Sequence, residues 1–268
     1  MTAMDSRELL RIALEAAREA GALAQAGWRT RPQATHKGRI DLVTRFDLES
    51  ERLLRQRLTA ATTIPVVGEE HGGRRASGAH EATWYVDPID GTTNFVHGHP
   101  FWCVSVGLYT SEAPLLGAVV APSLGVEWTA IVGQRALRNG MPCAVSQVSH
   151  LDDALLATGF PYDRRTSPEN NFDAFVAIKK KCQAVRRCGS AAIDLCLVAD
   201  GTYDGYWEQK LKPWDLAAGA ALVLAAGGRV TDYVGGPADV MKGHVVATNG
   251  RIHDTLVAEL GAVSRPSF

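Results

Sequence analysis

The sequence predicts a mixed fold in which α-helices and β-strands are stacked in layers. The first observation is a set of short apolar runs, such as Trp84-Tyr85-Val86, that end at Gly or Asp and are too short for helices. The second is an Ala/Leu-rich segment from Leu216 to Ala226, which has the composition of a helix and stops at two glycines. Strands and helices that alternate along one chain favour a layered α/β architecture.

The N-terminal half begins with two predicted helices. Asp5 and Glu8 resemble an N-cap pair, and apolar residues then recur at helical spacing up to Trp28. Thr44 is a candidate cap for the second helix. Strands are then predicted at 66–67, 84–86, 104–108, 115–121 and 128–132. In the strand at 104–108, apolar residues alternate with small or polar ones, which predicts that one of its faces is exposed.

The C-terminal half continues the mixture without a sequence repeat. Helices are predicted at 170–182, 191–199, 216–226 and 252–260, and extended segments at 203–208, 229–231 and 245–248. Asn139-Gly140 and Pro142 are turn-forming residues that interrupt the pattern of strands and helices, so a domain boundary is expected at 138–150. We expect an N-terminal half at 1–145, with most candidate metal ligands, and a C-terminal half at 146–268. The two would form one compact catalytic unit.

Composition excludes several classes of protein. The chain has 268 residues, 46% of them hydrophobic, and a formal net charge of −1, so it has no general basic field for nucleic acid. Its five cysteines are scattered without a CxxC pair, which favours reduced packing residues. The first residues lack the pattern of a signal peptide, and the longest apolar run is shorter than the roughly 20 residues of a membrane span. We therefore expect a cytoplasmic protein with no membrane partner.

The most informative segment is D-P-I-D-G-T-T-N-F, from Asp87 to Phe95. Two carboxylates, Asp87 and Asp90, end an apolar strand, and Gly91-Thr92-Thr93 then opens a short helix whose free N–H groups would face an anion. Carboxylates beside an anion cradle repel phosphate unless a cation lies between them. The string therefore predicts a metal site.

The candidate ligands carry oxygen only. Glu69, Asp87 and Asp90 supply carboxylates, and the Ile89 carbonyl is a further oxygen. Such a set suits Mg²⁺ or Mn²⁺, whereas zinc normally recruits His or Cys. The pair His97 and His99 on the following loop is interpreted as hydrogen-bonding rather than metal-binding.

Two further acids lie at predicted helix starts. Asp215 follows Trp214, where the helix dipole favours the ionised carboxyl by a few tenths to about 1 kcal/mol. Asp47 lies close to Thr44, and helix capping alone is an adequate interpretation of that pair.

Several stretches of this sequence resemble the motifs of one enzyme family. They are Glu69-Glu70 after Gly68, the string from Asp87 to Phe95, the stretch from Arg187 to Ala192, and the stretch from Trp214 to Gly219. Glu208, seven residues before Asp215, matches in type and order. Over residues 41 to 228, the sequence is similar to the inositol monophosphatase family.

The resemblance implies an α/β/α/β/α sandwich of the inositol monophosphatase and fructose-1,6-bisphosphatase type, assembled as a homodimer. It implies a metal-dependent phosphoric monoester hydrolase that acts on a small phosphorylated polyol. The first candidate substrate is myo-inositol 1-phosphate, which would give inositol and phosphate. Two to three Mg²⁺ ions would be the cofactor, with Mn²⁺ as the alternative ion, and Li⁺ would inhibit.

The matching positions imply a role for each site residue. The metal ligands would be Glu69, Asp87, the Ile89 carbonyl, Asp90 and Asp215. The catalytic residues that activate water would be Asp47, Thr92 and Glu69. The phosphate would contact Gly91, Thr92 and Thr93. The polyol pocket would contain Asp90, Gly189, Ala191, Glu208 and Asp215.

One position departs from the family pattern. Members commonly carry a lysine five residues before the position of Asp41, whereas this sequence has His36 there and Lys37 one position closer. We therefore assign no catalytic role to Lys37.

Other functions stay open. Related phosphatases take histidinol phosphate, fructose 1,6-bisphosphate or 3′-phosphoadenosine 5′-phosphate. Thr93, where many histidinol-phosphate enzymes carry Lys, favours the inositol side. A different class is an RNA- or transcription-associated binding protein on the same fold, docked through the basic cluster between Lys179 and Arg187. A solvated helix face is the plainer interpretation of that cluster, and nucleic acid is not an expected partner.

Overall fold

A computed structural model describes residues 5–38, 40–76, 81–110 and 113–263. The helices in these ranges are α1 (Ser6–Gly27), α2 (Arg45–Ala61), α3 (Thr92–His97), α4 (Phe172–Lys179), α5 (Ala191–Ala199), α6 (Pro213–Ala225) and α7 (His253–Val263), with two short 3₁₀ helices at Pro122–Leu124 and Leu151–Asp153. The strands are β1 (Ala34–His36), β2 (Leu42–Thr44), β3 (Val66–Gly68), β4 (Thr83–Asp90), β5 (Cys103–Tyr109), β6 (Pro114–Ala121), β7 (Val126–Ile131), β8 (Leu137–Arg138), β9 (Met141–Pro142), β10 (Leu155–Thr158), β11 (Ala184–Arg186), β12 (Gly205–Glu208), β13 (Arg229–Thr231) and β14 (Val245–Thr248).

The larger sheet has seven strands in the order β3-β4-β5-β6-β7-β8-β9. Only the β3–β4 pair is parallel in the described part of this sheet. Helices α1 and α2 pack on one face, where buried alanines such as Ala13, Ala17 and Ala20 allow α1 to lie close to the strands. This face forms one layer of the hydrophobic core.

Helices α5 and α6 cover the opposite face of the same sheet. Gly107 on β5 and Gly117 on β6 are paired, and a Cβ added at Gly107 would lie 2.5 Å from the backbone nitrogen of Ala218. The gap left by these glycines lets α6 contact the sheet backbone. The prediction that β5 has an exposed face is wrong, since all seven of its residues are buried. The small residues of β5 face a helix rather than solvent.

The smaller sheet has five strands in the order β11-β10-β12-β14-β13. Strand β10 is parallel to both β11 and β12, and β14 is antiparallel to β12 and β13. Helix α5 packs between the two sheets, and α7 packs on the outer face beside α4. The chain is therefore a five-layer α/β/α/β/α sandwich, as predicted.

Two of the cysteines lie in the hydrophobic core. All five cysteines are free, and Cys103 and Cys196 are wholly buried. Within the described ranges, no helix combines the length and apolar character that crossing a membrane requires.

Candidate active site

A cavity of about 620 Å³ opens at the ends of β4, β10 and β12 and at the first turns of α3, α5 and α6. Strand ends and helix N-termini that converge in this way present free N–H groups and a favourable dipole to an anion. Every residue predicted for the site lines this cavity except Asp47. Asp47 lies behind the wall, on the first turn of α2.

A β-bulge brings Asp87 and Asp90 to the same side of β4. In a regular strand, residues three apart point to opposite faces. Here the three steps from Asp87 to Asp90 lie opposite only two steps on β5, from Ser105 to Cys103. The extra residue of the bulge restores a common face for the two carboxylates. Pro88 lies inside the bulge, where a residue without an N–H leaves no donor unpaired.

Asp87, Asp90 and Asp215 form a compact group of acids. One carboxylate oxygen from each lies within 4.8 Å of the others. Burial, and after it the neighbouring carboxylates, raise the pKa of Asp87 and of Asp215 well above the usual value. Three crowded acids with only oxygen donors could hold a hard divalent cation, which would allow all three to ionise.

Two of these acids are held by hydrogen bonds from neighbouring helices. The Ser190 hydroxyl and the Ala192 N–H each donate to Asp90 Oδ2 at 2.7 Å. The Lys212 N–H donates to Asp215 Oδ2, also at 2.7 Å, so Asp215 caps α6. The other oxygen of each carboxylate is left for a ligand.

Lys37 reaches the site, although its position in the sequence provides no reason to assign it a role there. Its ammonium lies 2.5 Å from Glu69 Oε1 and 2.8 Å from Glu70 Oε1. Burial raises the pKa of Glu69 to about 7, even though Lys37 lowers it. Glu69 lies outside the compact group of three acids and has an ammonium as its counter-ion. The displaced position of Lys37 in the loop hid this contact.

Glu51 is a second residue that sequence reasoning missed. This carboxylate is fully buried, accepts hydrogen bonds from the backbone N–H groups of Glu70 at 2.6 Å and His71 at 3.1 Å, and pairs with Arg55 at 2.8 Å. It therefore fixes the loop that carries Glu69. Its position inside an ordinary amphipathic helix gave no signal for this role.

Asp47 contacts both a helix start and Thr92. Its Oδ2 accepts from the N–H of Thr44 at 2.8 Å and from the hydroxyl of Thr44 at 2.6 Å. Its Oδ1 lies 3.1 Å from the Thr92 hydroxyl, which is also 3.1 Å from the Ile89 carbonyl oxygen. Burial raises the pKa of Asp47, while the hydrogen bonds from Thr44 and Thr92 lower it. Capping is thus a real role of Asp47, and it uses only one of the two oxygens.

Gly91 leads from β4 into α3. Its φ of 96° is in the left-handed region, and a Cβ there would lie 3.0 Å from the Phe101 carbonyl oxygen. Only glycine fits both the conformation and the space. Gly91, Thr92 and Thr93 all line the cavity where α3 begins.

Glu208, Gly189 and Ala191 also line the cavity, and Glu208 lies outside the group of three acids. Glu208 ends β12, and its Oε2 accepts the hydroxyl of Tyr206. Burial raises the pKa of Glu208 to about 7, although the Tyr206 hydroxyl and the Arg187 guanidinium lower it. The cavity thus contains a fourth carboxyl, Glu208, in addition to the group of three acids.

A sequence model of the inositol monophosphatase family matches residues 5–265, which include all of the described residues. The chain belongs to the inositol monophosphatase family. It is an inositol monophosphatase-type phosphatase and therefore a hydrolase.

Individual relatives span the same length. The chain is 40% identical to the inositol-1-monophosphatase of Synechocystis sp. over 259 residues, which cover 96% of this chain and 90% of that protein. It is 37% identical to the Nus factor SuhB of Pseudomonas aeruginosa over 266 residues, covering 97% and 98%. The solved structure of an inositol monophosphatase from Anabaena (Nostoc) sp. is 39% identical and superposes with a TM-score of 0.87, covering 96% of each chain.

The remaining sequence signals lie partly on the surface and partly in the cavity. His99 Nδ1 accepts a hydrogen bond from the Phe101 N–H at 3.3 Å, and neither histidine of the 97–99 loop belongs to the acid group of this phosphatase. Lys181, in the basic cluster, pairs with Glu259 at 2.5 Å on the surface. Arg187, at the end of that cluster, lines the cavity instead. The basic residues of 179–187 are therefore divided between two surfaces.

Proposed function

We propose that this phosphatase hydrolyses a small polyol phosphomonoester, with myo-inositol 1-phosphate as the preferred substrate. The observation that carries the proposal is a single cavity lined by two acidic features, the group Asp87, Asp90 and Asp215 and, outside that group, Glu208. The first suits a metal-bound phosphate, and the second suits an alcohol rich in hydroxyl donors.

The metal would be Mg²⁺, in two to three ions, with Mn²⁺ as the alternative. Asp87, Asp90 and Asp215 would be the central ligands, joined by Glu69 and the Ile89 carbonyl. The chemistry that bound Mg²⁺ supplies is positive charge, which acidifies water and stabilises negative phosphoryl oxygens. Glu69 would exchange its Lys37 counter-ion for this charge.

Asp47 and Thr92 would act together on the attacking water. When Thr92 donates its one hydroxyl proton to Asp47 Oδ1, its oxygen can still accept a hydrogen bond from a water in the cavity that Thr92 lines. The three hydrogen bonds to Asp47 favour its ionised form against the cost of burial. The pair therefore orients the water and receives its proton.

The phosphate and the alcohol would occupy different parts of the cavity. Gly91, Thr92 and Thr93 would bind phosphoryl oxygens, where charge is spread in the transition state. Gly189, Ala191 and Glu208 would bind the polyol, with Asp90 and Asp215 at the junction. Glu208 Oε1 is the oxygen left free by Tyr206 and would accept from a polyol hydroxyl.

The direct test is phosphate release across a panel of esters, with Mg²⁺ and with excess EDTA. The panel contains myo-inositol 1-phosphate, histidinol phosphate, fructose 1,6-bisphosphate and 3′-phosphoadenosine 5′-phosphate. We expect the highest kcat/KM for the inositol ester, no turnover in EDTA, and inhibition by Li⁺. A higher kcat/KM for any other ester would replace inositol as the substrate, and turnover in EDTA would remove the metal mechanism.

The assembled state is a separate part of the proposal. We infer a cytoplasmic homodimer in which the halves 1–145 and 146–268 form one catalytic unit. Both sides of that division contribute to the cavity, since β4 carries Asp87 and α6 carries Asp215. Sedimentation of the purified chain tests the dimer, and two separately expressed halves should have no activity until mixed.

A macromolecular role is the second candidate. It is favoured by the 37% identity to a protein named Nus factor SuhB. The basic residues at 179–181 lie on α4 and just after it, away from the cavity, and could contact a polyanion without blocking catalysis. Replacing Lys179 and Lys180 with Gln should weaken RNA binding and leave phosphatase activity intact. Absence of salt-dependent RNA binding by the native protein would eliminate this candidate.

A further inference from the structure

Asp194 has an environment that helix formation does not explain. It is the single charged residue of α5, whose sequence is otherwise apolar, and it is 2% exposed. Its Oδ1 is buried and has no hydrogen-bond partner within the ranges that the structure describes. Burying an unpaired carboxyl opposes folding, so Asp194 is not present for stability.

The helix ends do not need Asp194 either. Ser190 already caps α5 through its hydroxyl, which accepts from the Ile193 N–H at 3.3 Å. At the other end, Asp200 accepts from Trp128 Nε1 at 3.0 Å and from the Thr202 hydroxyl at 2.6 Å. The acid at the end of the helix is therefore paired, whereas Asp194 Oδ1 is not.

Helix geometry directs Asp194 toward the cavity. A Cα–Cβ bond in a helix tilts toward the N-terminus, and residues three or four apart share a face. Asp194 therefore shares a face with Ser190 and Ala191, and all three line the cavity at the first turn of α5. Glu208 lines the same cavity, close enough for its charge to act on Asp194.

The carboxyls of Asp194 and Glu208 can make complementary hydrogen bonds. Burial, and after it the charges of Glu208 and Asp90, raise the pKa of Asp194 well above the usual value, while Arg187 lowers it. A protonated carboxyl both donates and accepts, as a hydroxyl does. Glu208 has one oxygen engaged by Tyr206, so its other oxygen remains free to accept. Two hydroxyls of one alcohol would satisfy both residues.

We propose that Asp194 is a specificity-determining residue whose carboxyl hydrogen-bonds a hydroxyl of the leaving alcohol, next to the hydroxyl bound by Glu208. The cavity then selects alcohols with two neighbouring hydroxyls. This inference rests on the proposed phosphatase function, because it names the part of the substrate that the same cavity recognises.

The test compares Asp194→Leu, Asp194→Ala and Asp194→Asn on myo-inositol 1-phosphate and on p-nitrophenyl phosphate, which carries no aliphatic hydroxyl. We expect both apolar variants to lower kcat/KM for the inositol ester about 10-fold, the scale of a hydrogen bond, with less than about twofold change for the aryl ester. Asp194→Asn, which keeps a donor and an acceptor, should recover most of the loss. Asp194→Leu should also raise the melting temperature by about 2 °C or more, because an unpaired buried carboxyl is removed.

Asp200→Asn is the matched control, since it alters the paired acid at the other end of the same helix. It should lower the melting temperature and leave the ratio of kcat/KM for the two esters unchanged. Equal losses on both esters, no loss on either, or lower melting temperatures for both apolar Asp194 variants would overturn the proposal. A native protein that releases phosphate from neither ester would instead refute the proposed function, so the two failures are distinguishable.

Discussion

The Thr92 hydroxyl lies 3.1 Å from Asp47 Oδ1, although 45 residues separate them in the sequence. The contact joins the start of α3, at the end of β4, to the start of α2. Asp47 uses its other oxygen to cap α2. One carboxylate therefore fixes a helix start and contacts Thr92, which lines the cavity.

This contact predicts a non-additive pair of variants. Thr92→Ala and Asp47→Asn should each lower kcat about 10²-fold or more, because each removes part of one water-orienting unit. The kcat of the double variant should be only slightly below that of the less active single variant, since residues that act as a unit are non-additive. Steady-state kinetics of the three proteins measure this, and a double loss equal to the product of the single losses contradicts a shared water.

The parts of this site that the sequence predicts are local ones. The string from Asp87 to Phe95 could be recognised because a strand, two acids and a glycine turn follow one another within nine residues. Lys37, Glu51 and Asp194 were not recognised, because their partners are distant in sequence and their neighbours form ordinary loop or helix patterns. Asp194 has the weakest sequence signal of the three, because an isolated acid in an otherwise apolar helix is typical of an exposed residue.

The sequence predicts the longer elements of the fold and not the shortest ones. Longer elements carry a clear signal over many residues, since α1 has apolar residues at helical spacing and β6 is a nearly continuous apolar run. The pairs β1–β2 and β8–β9 were missed because strands of two or three residues are too short to show alternation. The sequence wrongly predicts an exposed face for β5, because a small residue such as Gly107 can leave room for a packed helix as readily as for solvent.

Asp90 is the acid whose loss should affect turnover most selectively. Asp90→Asn keeps the size of the side chain while removing a charge from the group with Asp87 and Asp215. We expect almost no turnover and a folded protein. Mg²⁺ should raise the melting temperature of the native protein and have much less effect on the variant, because a ligand stabilises the state that binds it. Equal stabilisation of both proteins would exclude Asp90 as a ligand.

The acids of the cavity also predict how stability depends on pH. The pKa of Glu69 and of Glu208 is about 7 in the folded chain, against a usual 4.5. The folded state then binds more protons than the unfolded state between these values, so the free energy of unfolding falls as pH rises through this window. His253, whose pKa burial lowers to about 4, acts in the opposite direction, but it is one group against several acids.

Thermal unfolding in EDTA, from about pH 5 to about pH 8, measures this dependence. The melting temperature should fall with rising pH, and saturating Mg²⁺ should reduce the fall because the cation offsets the ionised acids. A metal-free protein that becomes more stable from about pH 5 to about pH 7 would contradict the raised pKa values.

The ion pairs of Lys37 with Glu69 and Glu70 predict that replacing Lys37 changes the Mg²⁺ concentration needed for activity. Its ammonium neutralises Glu69 and Glu70, so an incoming Mg²⁺ meets a positive charge that already occupies this carboxylate pair. Lys37→Met should lower the Mg²⁺ concentration for half-maximal activity about threefold or more, the scale of a partly exposed charge interaction. Lys181→Met, which breaks a surface pair with Glu259, is the control and should change nothing. A higher Mg²⁺ requirement would mean that Lys37 holds Glu69 in its metal-binding orientation.

Glu208 separates recognition of the alcohol from the chemistry of the phosphate. It ends β12, lies in the cavity outside the group of three acids, and has one oxygen engaged by Tyr206. Hydrogen bonds to a charged acceptor contribute about 1.5–3 kcal/mol. Glu208→Ala should therefore reduce kcat/KM for myo-inositol 1-phosphate about 10-fold to 100-fold. Hydrolysis of p-nitrophenyl phosphate should be nearly unchanged, because that ester has no polyol hydroxyl to bind.

Tyr206→Phe is the matched control for Glu208, since it removes the hydroxyl on Oε2 and leaves the carboxylate in place. Burial raises the pKa of Glu208 to about 7, and the Tyr206 hydroxyl is the first of the groups that lower it. Without that hydroxyl, the pKa should rise further and the pH profile of kcat/KM for the inositol ester should shift upward, with the profile for p-nitrophenyl phosphate unmoved. Equal losses on both esters in Glu208→Ala would assign Glu208 to the metal site or the fold, and no loss on either would make its carboxylate irrelevant to the substrate.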